Sequence, residues 1–543
     1  STDNKLDQND ILIKRARSEN RARSVHYRLT EENETRFIGL SRLDQRFTSI
    51  VFGASPSNDC DRPDHGHRIN ILSKKDSGLK RYLDLSYASG DTQFAPGSYY
   101  LIAKVDPDNV FAESNENNNQ DSVLVSAPNT DPVIDWISCA LNSVQAEGMA
   151  GRGVGPTTGS RLMAMLSTTI YDTVCAFNNT YKPYKVDVSA PRTISLEAAV
   201  AGAAQRVLSS LLPGQRDYIN EQLRKSVFEI KGTSRSIRSG LAFGANIADR
   251  SMALRVHDGA DNNAPYIPNA TTGYVWQPAA PGQPNAGVAL GPNWGSVTPW
   301  VLSPSQLGTL AKAAQLEARP DKNAVLYAQQ IEEVREVGAL QDTPTTMLSR
   351  TADQTEIAKF WAYDRPDTFR PYGQLNQISL QIATSQHNSL EQNASLFASL
   401  NTALADSVIV AWGAKYREQQ PRPYDVITGY ANIDNNPATI YDPNWHSLLS
   451  SINGSESPPF PDYLSGHSSM GGAFASVMTN FFGDNIIFSA TSAELPGISR
   501  KYDGFNENGV FYNGFYEAGM ENALSRIYGG VHIREACEDA FTM

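Results

Sequence analysis

Lys415-Tyr416-Arg417-Glu418-Gln419-Gln420-Pro421-Arg422-Pro423, Ser465-Gly466-His467 and Ser525-Arg526-Ile527-Tyr528-Gly529-Gly530-Val531-His532 follow one another near the C-terminal end of a 543-residue chain. Read as chemistry, these stretches supply three cations, one hydroxyl, one open backbone N–H and two imidazoles. Arg422 and Arg526 can each offer a planar fork to two oxygens of an anion, and Lys415 adds a compact charge. Ser465 can donate its hydroxyl, and Gly466 its backbone N–H with no side chain in the way. Residues 467–481 read as a helix opening there, whose first N–H groups also favour an anion. A cation near 3.5 Å contributes on the order of 5 kcal/mol of gross attraction at an effective dielectric of about 20, before desolvation. Three of them suit a doubly charged tetrahedral oxyanion. His467 and His532 can divide the remaining work, one attacking or ligating the central atom and the other moving protons.

The pattern K-x6-R-P, S-G-H and S-R-x5-H resembles the three-part signature of the type-2 phosphatidic acid phosphatase superfamily, which includes the vanadium-dependent haloperoxidases and the bacterial acid phosphatases. The wider likeness runs from about residue 131 to the end, through Asn393–Tyr416 and Asp442-Pro443-Asn444-Trp445, and is nearer the bacterial vanadium haloperoxidases. It implies vanadate as cofactor, held by Lys415, Arg422, Ser465, Gly466 and Arg526. It makes His532 the vanadium ligand, His467 the acid–base residue and Lys415 the group that polarises peroxide. The implied reactants are hydrogen peroxide, a halide and a small organic acceptor that the hypohalous acid halogenates. The alternative is a soluble acid phosphatase on the same site, with His532 forming a phosphohistidine and His467 protonating the leaving group.

Trp412 and Phe460 occupy positions resembling those that line the halide side of the pocket in fungal chloroperoxidases; the plainer reading is two core aromatics. The sequence departs from the signature twice. Leu464 replaces the usual proline before Ser465. Ala536 stands where the phosphatases carry an aspartate that orients the second histidine, and Glu535, Glu538 and Asp539 are out of register.

Composition agrees with a globular chain: 40% hydrophobic and 19% charged residues, with a net charge of −12. That charge argues against nucleic-acid binding. No run of 18 apolar residues predicts a transmembrane helix. Cys60, Cys139, Cys175 and Cys537 have neither zinc spacing nor framework density; Cys139–Cys175 is the one bridge considered. No signal peptide is visible, and a secreted, periplasmic or cell-surface location is expected. A homo-oligomer is among the expected assemblies.

The expected architecture is multidomain: an N-terminal β-sandwich followed by a large, mainly α-helical bundle domain. Residues 1–23 read as a polar arm, 24–126 as the sandwich, 127–132 as a linker and 133–543 as the helical domain. The stretch from Pro96 to Asn118 resembles the closing hairpin of CARDB immunoglobulin-like domains. Asp106, Asp108, Glu113 and Glu116 offer oxygens for calcium, with a solvated hairpin turn as the alternative. His65 and His67 form an H-x-H that reads as a surface loop, with metal binding as the alternative. Residues 264–302, rich in Pro, Gly and Trp, are expected to wrap near the mouth of the site. Ser389 is expected to cap a long helix that delivers Lys415, with Asp406 on it as a supporting carboxylate or a solvated one. One helix, Ala518–Asp539, is expected to carry both Arg526 and His532, or to be interrupted at Gly529-Gly530. His387 and His446 read as structural.

Overall fold

In the computed structural model, residues 131–543 are described except 179–180, 270–273 and 505–512; before them, only five strands are. These are β1 (His26–Glu31), β2 (Glu34–Gly39), β3 (Ser49–Gly53), β4 (Gly97–Lys104) and β5 (Gln120–Ala127). They form one sheet of order β2-β1-β3-β4-β5, antiparallel except where β1 runs parallel to β3. The second sheet that a sandwich requires is not among the described residues. The arm, His65, His67, Cys60 and the candidate calcium ligands Asp106, Asp108, Glu113 and Glu116 lie outside the described residues. Among those described, no cluster of three His, Cys, Asp or Glu side chains could hold a metal ion.

The second unit is helical and is best described from its own capping chemistry. Asp131 ends the expected linker by accepting the Val133 N–H at 2.8 Å, which opens α1 (Pro132–Met149). There follow α2 (Pro156–Cys175), α3 (Leu196–Leu211), α4 (Arg216–Glu229), α5 (Ser234–Ala253), α6 (Pro304–Ala313), α7 (Ala324–Gly338), α8 (Ala352–Phe360) and α9 (Arg370–Ser385). At the centre stands α10 (Leu390–Glu418), opened by a reciprocal capping box between Ser389 and Gln392. It stops where Gln419 turns left-handed (φ 52°) and Pro421 lacks an N–H to continue.

α10 packs on α2 and on α13 (Gly466–Phe482). Leu400, Leu404, Val408 and Trp412 of α10 are fully buried, each contributing about 1.5–3 kcal/mol. α10 is long and apolar enough to cross a membrane, but 78% of its apolar window is buried inside the protein, as in a core helix. Short α11 (Pro423–Thr428) and α12 (Ser450–Asn453) interrupt the connection to α13.

After α13 comes an antiparallel pair, β6 (Phe488–Ser492) and β7 (Leu495–Tyr502). α14 (Gly514–Tyr528) then packs against α13 where two glycines meet; a Cβ on Gly471 would lie 2.8 Å from the Gly519 carbonyl. The single helix expected over 518–539 is broken. α14 ends at Tyr528, Gly530 takes φ 79°, and α15 (Arg534–Thr542) starts afresh. A side chain at Gly530 would also strike the Gly338 carbonyl, so the turn needs glycine on both counts. Cys139, Cys175 and Cys537 are free and buried, so the Cys139–Cys175 bridge does not form.

Candidate functional site

The helical unit brings the seven motif residues to one place by separate routes. Lys415 comes from the last turn of α10, and Arg422 is the residue that caps α11. Ser465 caps α13, with Gly466 and His467 in its first turn. Arg526 comes from α14, and His532 from the turn between α14 and α15. The break at Gly530 means that Arg526 and His532 do not have to share one helical face. Lys415, Arg422, Ser465 and Arg526 are wholly buried, His532 almost so.

Burying three basic side chains without matching carboxylates is costly, so their partners are informative. Lys415 Nζ donates to two carbonyls, Pro461 at 3.0 Å and Asp462 at 2.8 Å. Arg422 donates Nε–H to the Phe460 carbonyl and Nη1–H to that of Val531. Its Nη2 has no partner among the described residues. Arg526 is paired through Nη2 with Asp364, while its Nε and Nη1 have none. Ser465 Oγ accepts from the Ser468 hydroxyl at 2.8 Å, which leaves its own hydrogen free to be donated.

The hydrogen bonds also assign the His532 tautomer. An arginine can only donate, and Arg422 Nη1 lies 3.1 Å from His532 Nε2, so Nε2 carries a lone pair. Nδ1 carries the proton and donates it to Asp462. Asp462 is therefore the orienting carboxylate that the sequence seemed to lack. At Ala536 the chain contributes only its carbonyl, which accepts the Ser465 N–H at 2.8 Å. The out-of-register acids are spent elsewhere: Glu535 receives the Glu317 and Ala318 N–H groups, Glu538 pairs with Arg534, and Asp539 accepts from Tyr463.

Burial, then the Arg422 and Lys415 cations, holds His532 well below its usual pKa and thus neutral. Burial pushes the Asp462 carboxyl up to about 7, against the pull of Arg422 and Lys415. Burial and the Arg526 cation take His467 down to about 3. Burial, then Arg422, pulls the Lys415 ammonium well below its ordinary value. Arg422 falls to about 10 by burial and stays charged at neutral pH. A dianion seated here would reverse much of this depression.

Arg526, His467, His532 and Asp364 line the cavity together with Pro156, Trp412, Pro458 and Phe460. The Trp412 and Phe460 ring centroids are 4.9 Å apart. Lys415 Nζ is 5.6 Å from the first ring and 5.0 Å from the second. The 264–302 stretch does reach this wall: the Leu290 carbonyl accepts from Trp412 Nε1 at 3.1 Å and from the Tyr416 hydroxyl at 2.7 Å. Asp406 plays no part in the site. Its carboxylate receives the N–H groups of Trp300, Val301 and Leu302 and anchors the far end of that wrap. His446 pairs with Glu456 away from the site.

Sequence reasoning missed Asp364 and Asp462. Asp364 stands in no motif. Asp462, three residues before Ser465, had only its nearness to Ser465-Gly466-His467 to mark it.

A bacterial vanadium-dependent iodoperoxidase superposes with a TM-score of 0.60 at 23% identity, over 76% of this chain and 94% of that one. The fold is that of the vanadium-dependent haloperoxidases. A holo bacterial vanadium-dependent chloroperoxidase gives a TM-score of 0.52 at 14% identity, over 72% of this chain and 90% of that one. Residues 395–543, which hold every motif residue, match the VCPO second helical-bundle domain. Vanadium chloroperoxidase of Curvularia inaequalis is 26% identical over 490 residues, 75% of this chain and 79% of that protein. Residues 77–123 match the CARDB family, in a stretch mostly outside the described residues.

Proposed function

We propose that this chain is a vanadate-dependent haloperoxidase, oxidising halide with hydrogen peroxide to hypohalous acid. One observation carries the reading. Three guanidinium N–H-bearing atoms, Arg422 Nη2 and Arg526 Nε and Nη1, are buried without a partner among the described residues, beside a histidine whose Nε2 carries its lone pair. Such donors await an oxyanion.

The residues present fit vanadate. Lys415, Arg422, Ser465, Gly466 and Arg526 would hold its oxygens, and His532 Nε2 would ligate the metal. When bound, vanadate supplies a Lewis-acidic centre that activates peroxide for two-electron oxidation of the halide. Asp462 holds the His532 ring and its tautomer, as partners of metal-bound histidines do. His467 gives its Nε2–H to the Ala362 carbonyl, so Nδ1 is the atom that would accept and return a proton during turnover. Lys415, held between two carbonyls, would polarise the bound peroxide. Trp412 and Phe460 would form the dry wall on which the halide rests, stripped of part of its water. The expected sandwich and its calcium play no part in this chemistry and stand as proposals for the N-terminal region.

The same donors would hold phosphate. The test is a pair of assays on metal-free protein: bromination with added vanadate and peroxide, and hydrolysis of a phosphomonoester without them. Vanadate-dependent bromination that inorganic phosphate suppresses competitively supports the proposal. Rapid ester hydrolysis with no bromination would assign the site to the phosphatases.

A further inference from the structure

A second cavity stands beside this site and has no assigned role. It is a cleft of about 450 Å³ between the first turn of α2 and the wrap of residues 259–294. That is within the ordinary range for small-molecule sites, roughly 300–1,000 Å³. It shares walls with the oxyanion cavity. Pro156 lines the cavity while its neighbours Gly155 and Thr157 line the cleft. Leu290 and Gly291 line the cleft and back directly onto Trp412; a Cβ on Gly291 would lie 3.1 Å from Trp412 Nε1.

The lining has a defined chemistry. Among the described residues no Asp, Glu, Lys, Arg or His lines the cleft, although the chain carries a net charge of −12. A charged guest would lose its hydration there without an ionic partner. Tyr266 and Trp294 supply rings, and Asn263, Thr157 and Thr158 supply neutral hydrogen-bonding groups. The Tyr266 ring is fixed edge-on against Tyr416, at 5.2 Å between centroids, and its hydroxyl donates to the Trp276 carbonyl. Tyr416 in turn donates to the Leu290 carbonyl, so the aromatic wall is tied to the wall of the halide pocket.

We propose that this cleft binds the organic acceptor, a neutral electron-rich aromatic such as a phenol, and presents it to hypohalous acid as that leaves the Trp412–Phe460 wall. The inference rests on the haloperoxidase reading for its chemistry. In the step, a ring carbon supplies two electrons to the halogen. The C–X bond forms, the O–X bond breaks, and the ring proton leaves with hydroxide as water. Halogenation of a held ring favours one position, whereas free hypohalous acid distributes halogen by intrinsic reactivity.

The experiment measures binding first, with no turnover needed. Metal-free protein is titrated calorimetrically with 2-naphthol and with 2-naphthoate. Thr158→Trp and Ala260→Trp, which fill the cleft from two sides, are titrated alongside after circular dichroism confirms their folding. The expected result is saturable naphthol binding, naphthoate at least tenfold weaker, and naphthol at least tenfold weaker in either variant. The loaded enzyme should then show a KM for naphthol raised at least fivefold in Thr158→Trp, and a brominated product ratio unlike that of reagent hypobromite. Absence of naphthol binding, or equal affinity in wild type and both variants, would overturn the proposal. Naphthol binding that responds to the variants, in a protein that never brominates, would instead sink the haloperoxidase reading and leave the cleft standing.

Discussion

Asp462 accepts the Nδ1–H of His532 from 70 residues away in the chain, and by doing so leaves the lone pair on Nε2, where Arg422 Nη1 lies 3.1 Å away. The same residue holds Lys415 through its carbonyl at 2.8 Å and receives the Ile533 N–H at 3.3 Å. It therefore positions a cation, a histidine and the turn that carries the histidine.

Replacing Asp462 by Asn keeps the shape but removes the charge that fixes the tautomer. Vanadate affinity should fall roughly 10- to 100-fold, the usual consequence of losing such a partner. Titration of metal-free protein with vanadate checks this. Glu, which restores the carboxylate, should recover part of the loss, whereas a merely structural role would leave Asn and Glu equally impaired.

Oxyanions should stabilise the empty protein, because they relieve mutual repulsion among Lys415, Arg422 and Arg526. At 100 times Kd, vanadate or phosphate should add about 2.7 kcal/mol, readable as a rise in Tm. In Arg526→Ala the rise should largely vanish. That variant should also be less stable from the outset, since half-buried Asp364 would lose its ion pair and keep only the Asn453 amide as donor among the described residues.

Trp412 and Phe460 were legible as candidate halide residues, and their placement makes a separate expectation. Phe460 lies close to two cations, with Lys415 Nζ at 5.0 Å and Arg422 Cζ at 4.9 Å from its centroid. Phe460→Ala should cost about 3–5 kcal/mol of stability, as large-to-small changes in cores do. It should also raise the KM for bromide several-fold by admitting water. An unchanged bromide KM would return Phe460 to the ordinary core aromatics.

Glu494 gives a pH dependence away from the site. Burial raises its pKa from 4.5 to about 7, with Arg365 opposing and Asp367 and Asp364 adding to the rise. The folded state thus binds this proton more tightly than the unfolded state, so stability falls as pH rises from about 4.5 through 7. The full loss is about 3 kcal/mol. Glu494→Gln should flatten that part of the profile, measured by urea unfolding at pH 5 and pH 8. A profile that stays equally steep would place the responsible group elsewhere.

How far the sequence could be read depended on whether a residue acts through a local pattern. Lys415, Arg422, Ser465, Gly466, His467, Arg526 and His532 sit in short motifs with fixed spacings, and the structure gathers them. The α10 cap at Ser389 was legible because capping chemistry is local. Asp364 and Asp462 reach their partners only through the tertiary fold, so no spacing marked them as partners. The break between α14 and α15 was half legible. Gly529-Gly530 flagged an interruption, but the decision belongs to the Gly338 carbonyl packed against Gly530. The β6–β7 pair escaped because its connection, Ala493-Glu494, carries none of the usual hairpin residues.

The most direct measurement is bromination of an activated diketone by metal-free protein with peroxide and bromide, before and after vanadate, in wild type and His532→Ala. The account predicts turnover that appears only with vanadate and is lost in His532→Ala, with the variant still folded by circular dichroism. Turnover independent of vanadate, or preserved without the His532 imidazole, would contradict it.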